Sequence, residues 1–275
     1  MSRNILITGG NSGIGYEMAL ALAGGGDRVI IAARDLAKSQ SAVDSIRARH
    51  PAAQVEAMPL DLAEFNAIDR FAAELLQRMP VIDVLILNAG LYTLKLHQLR
   101  NGYEAMMGVM HFGHFRLADR LLEAVKAAKQ GRVVVTSSVM HQIGRIDEAS
   151  FTDPSRHRVG LKAYGQAKLA NLLFARQLAR RLKNTPVTVN AFHPGAVATG
   201  IYREVPGLLG KLIMAFMLTP AQGADTAVWL ATAPELAQTS GEYFIRRKRK
   251  AGSASSRDPE LAQRLWLLSE RAMAG

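Results

Sequence analysis

The chain has 275 residues, a formal net charge of +11 and no cysteine. That length accommodates one doubly wound domain with a substantial core, and no linker-like or repeated segment divides it. The missing cysteines exclude disulfides, thiolate catalysis and thiolate metal sites, and they fit a reducing compartment.

Asn4 to Thr8 reads as a short apolar strand, Gly9 to Gly15 as a glycine-rich turn, and Tyr16 to Ala23 as an amphipathic helix ending in Gly24-Gly25-Gly26. Glycines at such a turn let backbone approach a pyrophosphate, and the first free amides of the helix then face its charge. Thr8, Gly9, Asn11, Ser12, Gly13, Ile14 and Gly15 are therefore candidate cofactor contacts, against the plainer reading of a tight turn without a ligand. The second strand, Arg28 to Ala33, ends where dinucleotide-binding folds often carry an acid for the ribose hydroxyls of NAD. Ala33 stands there and Arg34 follows, which favours NADP, because an arginine can hold a 2′-phosphate through charge-assisted hydrogen bonds. A solvated arginine is the alternative, and Asp35 would partly neutralise the site.

Further along, Asp61-Leu62 follows a third strand, Asn88-Ala89-Gly90 follows Val84 to Leu87, and Ser137-Ser138 follows Arg132 to Thr136. A helix is expected from Gly102 through Val109 toward His111. Tyr164 and Lys168 stand four residues apart in a helical segment, so phenol and ammonium share one face. A nearby cation favours the phenolate, which lets such a tyrosine exchange protons near neutral pH. His193-Pro194-Gly195 follows a strand read as Val187 to Asn190. The segment at about 200–219, rich in Leu and Met and broken by Pro and Gly, suits contact with an apolar carbonyl or alcohol, or ordinary core or dimer packing. Arg246 to Lys250 is a run of five cations that reads as a solvated basic loop, with membrane-surface contact or acidic ligands as alternatives. No nucleic-acid-binding motif accompanies it. His111 and His114 stand at i,i+3 without an acidic partner at metal-site spacing, so packing is favoured over zinc.

Taken together, Thr8 to Gly15, Asp61-Leu62, Asn88-Ala89-Gly90, Ser138, Tyr164/Lys168 and His193-Pro194-Gly195 resemble the short-chain dehydrogenase/reductase family from end to end. The spacing from Ser138 to Tyr164, His111-Phe112-Gly113-His114-Phe115 and Leu261 to Trp266 resemble the branch holding retinol dehydrogenases, the WW-domain-containing oxidoreductase and protochlorophyllide reductase. The resemblance implies an α/β single-domain Rossmann fold over 1–275, a doubly wound parallel sheet with helices on both faces. It implies hydride transfer between NADP and an apolar aldehyde, ketone or alcohol. Ser138 would orient the carbonyl, Tyr164 would exchange the proton, and Lys168 would hold the nicotinamide ribose and lower the pKa of the tyrosine. Asp61 and Leu62 would lie near the adenine, Asn88, Ala89 and Gly90 along the cleft, Pro194, Gly195, Val197 and Thr199 beside the nicotinamide, and the segment at about 200–219 would close over the substrate as a lid.

One position departs from the family. Met110 stands where an asparagine usually helps to hold a relay water, and a thioether is only a weak acceptor. A cofactor-binding sensor or scaffold with little turnover is therefore the rival reading. The chain starts almost directly with its first strand and has no apolar run of the roughly 18–20 residues that cross a bilayer. A cytoplasmic protein without a transmembrane segment is the expectation, as are a homo-oligomer and no nucleic-acid partner. Many retinol dehydrogenases carry an N-terminal membrane segment, and the expectation of none here weakens the carry-over of retinol as the substrate.

Overall fold

The computed structural model describes residues 2–195 and 218–274. Val197, Thr199 and nearly all of the lid segment lie outside the described residues. Among those described, eight strands form one sheet in the order β3-β2-β1-β4-β5-β6-β7-β8. They are β1 Asn4–Thr8, β2 Arg28–Ala33, β3 Gln54–Pro59, β4 Val84–Leu87, β5 Arg132–Thr136, β6 Thr188–His193, β7 Tyr243–Ile245 and β8 Lys248–Lys250. All neighbours are parallel except β7 and β8.

Burial explains the strand sequences. Val84 to Leu87 and Arg132 to Thr136 are buried at every position, because helices cover both faces of the sheet. Alternate residues of one strand feed two separate cores. Leu6 and Ile30 pack with Phe71, Leu121 and Leu172 on one face, whereas Ile5, Ile7 and Ile31 pack with Met18, Val43 and Leu230 on the other. The helices that supply these residues are α1 Gly13–Gly24, α2 Leu36–Arg49, α3 Phe65–Arg78, α4 Ala105–Met107, α5 His114–Lys126, α6 Gly160–Arg181 and α7 Pro220–Thr232. The short α8 Ala254–Arg257 and the terminal α9 Pro259–Ala274 follow, and Leu265 and Leu268 of α9 join a third core with Met106, Met110 and Leu169.

Strand order reverses between β1 and β4, which lie side by side although β2 and β3 come between them in sequence. In open parallel sheets the crevice beyond the carboxyl ends of the strands at such a switch point receives the ligand.

Two sequence expectations need correction. The stretch Gly102 to Val109 is not one helix. Glu104, buried, accepts the amides of Met106 and Met107 and starts α4, and Gly108–Gly113 then forms a π-helical turn before α5. The basic run is not a loop either: Lys248–Lys250 pairs antiparallel with Tyr243–Ile245 across a turn in which Arg246 and Arg247 take positive φ, 50° and 58°. Its charges are partly matched, Arg247 by Asp225 and Arg249 by Glu242.

Candidate active site

The glycine-rich turn leaves β1 at Thr8 and enters α1. Gly9 and Gly13 take positive φ, 68° and 54°, and a methyl group on Gly9 would lie 2.9 Å from the Ala89 Cα. A methyl on Gly15 would lie 2.2 Å from the Gly9 carbonyl oxygen, so only glycine lets the helix start this close to the strand. Ser12 is the N-cap of α1 but its side chain accepts no amide of the first turn, and no acidic residue stands there. The uncapped amides from Gly13, Ile14 and Gly15 onward, at the positive end of a 12-residue helix, fit a phosphate group. Asn11 donates to the Ser39 hydroxyl at 3.2 Å and ties the turn to α2.

Arg34 is exposed at the carboxyl end of β2 and makes no ion pair among the described residues. Asp35, the next residue, makes no ion pair with it among the described residues. The Asp35 carboxylate instead caps α2, accepting the Lys38 amide at 2.9 Å. Asp61 is half-buried after β3 and accepts the Ala63 amide at 2.9 Å, while Leu62 is buried. Asn88 sits between neighbouring strands: its Nδ2 donates to the Thr8 carbonyl at 3.0 Å, and Thr136 donates to its Oδ1 at 3.5 Å.

Thr8 has a role that the sequence did not disclose. Its hydroxyl oxygen accepts the amides of Asn88 and Ala89 at 2.9 and 3.0 Å and contacts His114 Nε2 at 2.9 Å. His114 Nδ1 lies 3.0 Å from the Met110 carbonyl, which can only accept, so Nδ1 carries the proton and Nε2 receives the threonine hydroxyl. Burial holds the His114 pKa down to about 4, consistent with a neutral ring. His111 turns away to Ser269 at 2.8 Å, and burial lowers its pKa to about 3. Each histidine thus has its own partner, and no cluster of metal-ligating side chains occurs among the described residues.

Tyr164 and Lys168 lie on α6, the tyrosine half-buried and the lysine 3% exposed. Lys168 Nζ is 5.5 Å from the centre of the Tyr164 ring and donates to the Thr136 carbonyl at 3.3 Å. Burial lowers the lysine pKa to about 8. Ser137 donates to the Lys168 carbonyl at 2.8 Å, which joins the end of β5 to the same helix. Ser138 is the N-cap of a 3₁₀ turn, Val139–Gln142, and its hydroxyl oxygen accepts the Met140 amide at 3.2 Å.

Two glycines bring the Ser138 segment against α6. A methyl on Gly165 would lie 2.9 Å from the Met140 carbonyl, and one on Gly144 would lie 2.2 Å from the Gly165 carbonyl. Tyr92 packs edge-on against Tyr164, ring centres 5.7 Å apart. Gly90 opens onto the same place, since a methyl there would meet Met110 Sδ at 3.2 Å and Lys168 Nζ at 3.7 Å. Met110 and Lys168 thus both border the Gly90 position. Pro194 and Gly195 follow β6, with Gly195 at φ 92° and its Cβ position 2.3 Å from Leu218 Cδ1.

The sequence pattern of the family described as short chain dehydrogenase matches residues 3–206. Human retinol dehydrogenase 13 is 37% identical over 98% of this chain and 84% of its own length, and mouse retinol dehydrogenase 12 is 41% identical over 96% and 84%. Among solved structures, an uncharacterised protein from Mycobacterium paratuberculosis superposes with a TM-score of 0.80 at 32% identity, covering 99% of this chain and 93% of the other. A Pseudomonas aeruginosa protein solved as an active-site complex with NADP gives a TM-score of 0.73 at 25% identity, covering 88% and 93%. The glycine turn on β1, the switch-point cleft and the paired tyrosine and lysine on α6 accompany a match over most of the chain, and the protein belongs to the short-chain dehydrogenase family.

Proposed function

We propose that the protein is an NADP-dependent oxidoreductase that interconverts an apolar aldehyde or ketone with its alcohol. The observation that supports this reading is buried Lys168, whose ammonium lies 5.5 Å from the centre of the Tyr164 ring and donates to the Thr136 carbonyl at the carboxyl end of β5, two residues before Ser138. NADPH, when bound, supplies the hydride. Gly9, Ser12, Gly13 and Gly15 would cradle its pyrophosphate, with Thr8 supporting the turn. Asp61 and Leu62 would flank its adenine, and unpaired Arg34 favours the 2′-phosphate that distinguishes it from NADH. Asn88, Ala89 and Gly90 would line the cleft, and Pro194 and Gly195 would border the nicotinamide.

Ser138 donates to the carbonyl oxygen and steadies it. Tyr164 gives that oxygen its proton, and Lys168, cationic at neutral pH, favours the phenolate left behind. The apolar class of the substrate is supported by Leu94, Val139, Ile143, Val159 and Leu161, which are exposed although large and apolar. Val139 and Ile143 flank the Ser138 turn, while Leu94 approaches Gly160 at the start of α6. The retinol dehydrogenase relatives make a long polyene aldehyde the natural first compound to try. No helix of the described residues is long and apolar enough to cross a membrane.

Met110 supports a second reading, a cofactor-binding sensor with little turnover, because a thioether borders the same Gly90 position as the lysine, at a place where the family keeps an amide. One panel separates the two. NADPH oxidation is followed with retinal, long-chain and medium-chain aldehydes, and a sugar aldehyde as the polar control, each repeated with NADH. The enzyme reading expects turnover rising with apolar length and NADPH preferred over NADH by roughly 10- to 100-fold, the value of one or two lost charge-assisted bonds. NADPH binding without oxidation by any compound favours the sensor.

A further inference from the structure

Ser138 is held by its backbone as well as its side chain, and the second hold reaches outside the cleft. His141 Nδ1 lies 2.5 Å from the Ser138 carbonyl oxygen, which also receives the His141 backbone amide at 3.1 Å. On the far side of the ring the Ser253 amide donates to His141 Nε2 at 3.1 Å. An amide can only donate and a carbonyl can only accept, so one tautomer satisfies both contacts: Nε2 bears the lone pair and Nδ1 the proton. The ring is fully buried, packs edge-on against Tyr243 at 5.1 Å, and has its pKa lowered chiefly by that burial.

The donor on the far side is itself fixed. Arg176, on the helix that carries Tyr164 and Lys168, donates to the carbonyls of Ala251 and Ser256 at 2.7 and 2.6 Å. Between them Gly252 takes φ 77°, and a methyl there would meet the Ser256 hydroxyl at 2.6 Å and approach His141 Nε2 at 3.4 Å. The segment after the basic hairpin is thus clamped so that one amide reaches the imidazole.

We propose that His141 is a positioning residue for Ser138: its Nδ1–H tautomer, fixed by the Ser253 amide, anchors the Ser138 carbonyl and so sets the direction in which the Ser138 hydroxyl enters the cleft. This rests on the reading of Ser138 as the group that steadies the substrate oxygen. Asparagine and glutamine divide the two functions of the ring. Asparagine places an N–H donor at the Nδ1 position and abandons Ser253, whereas glutamine reaches the Nε2 position and abandons the Ser138 carbonyl. Both lose the aromatic contact with Tyr243, so that loss is common to the pair.

The experiment compares kcat and the NADPH KM of the full chain with the most reactive aldehyde of the panel. His141→Asn is expected to stay within about threefold of wild type, and His141→Gln to lose about tenfold or more in kcat with the NADPH KM unchanged, as a transition-state defect should. In a Ser138→Ala background His141→Gln should cost nothing further, because the residue acts through the serine. Equal losses in the two single variants, or a further loss in the double variant, overturn the inference while leaving the serine reading intact. Wild-type kcat in Ser138→Ala overturns the serine reading and the inference with it. Nitrogen NMR of wild-type protein labelled in histidine gives a test that needs no variant: a Nδ1–H resonance for His141 supports the inference, and the Nε2–H tautomer overturns it.

Discussion

Lys168 is the residue whose environment says most about the chemistry. Burial brings its pKa from the ordinary lysine value to about 8, so its charge becomes titratable in an accessible range. If the cation supports Tyr164, kcat/KM for carbonyl reduction should fall as pH rises through about 8, approaching tenfold per unit, since this parameter reports the free enzyme. Stability should move the other way. Unfolded lysine titrates near ~10.4, so between about pH 8 and ~10.4 the unfolded chain binds more protons than the folded one, and this group makes folding more favourable as pH rises. Activity that falls while the melting temperature holds or rises would locate the titration at the site. Flat kcat/KM from pH 7 to pH 9.5 would remove Lys168 from the mechanism. The pairing with Tyr164 was legible because four residues on a helix place two side chains on one face, and so was the glycine turn. His141 was not: nothing three residues after Ser138 marks an imidazole as a link to a serine amide more than a hundred positions away.

At the scale of elements, strands with every residue buried were the easiest to read. The bounds of β1, β2, β4 and β5 follow from unbroken apolar runs that end at turn residues. β6 was read short at its end, because Asn190 looks like an end; the strand continues since Asn190 donates to the Thr239 carbonyl and accepts the Glu242 amide. β8 could not be read, because three exposed cations carry no apolar period and pair only through the geometry of β7. The π-turn at Gly108–Gly113 likewise has no pattern of its own. Its position is fixed by contact: a methyl on Gly113 would lie 2.3 Å from the Leu62 carbonyl and 2.9 Å from Leu62 Cβ. Gly113→Ala should therefore force apart the π-turn and the loop that carries Asp61 and Leu62. A destabilisation of about 1–3 kcal/mol, as for other overpacked interiors, is expected. NADPH affinity should weaken with it. Thermal unfolding and cofactor titration check both, and unchanged values would show that the loop is not held by this contact.

At the scale of the molecule, the sheet brings together residues far apart in sequence. Asn88 after β4 bonds to Thr8 at the end of β1 and to Thr136 at the end of β5, and Lys168 of α6 reaches the Thr136 carbonyl, because the parallel strands end on one edge. The strong positive charge is not all available to partners, since the hairpin arginines Arg247 and Arg249 face carboxylates. Family membership follows from the whole chain, whereas the assignment of chemistry rests on one hydroxyl. The most direct measurement is single-turnover oxidation of enzyme-bound NADPH by a reactive apolar aldehyde, wild type against Tyr164→Phe. Loss of the proton donor should slow the reaction by about 100-fold or more, the scale of general acid catalysis, while NADPH affinity stays within about twofold. Oxidation by Tyr164→Phe at the wild-type rate would contradict the account.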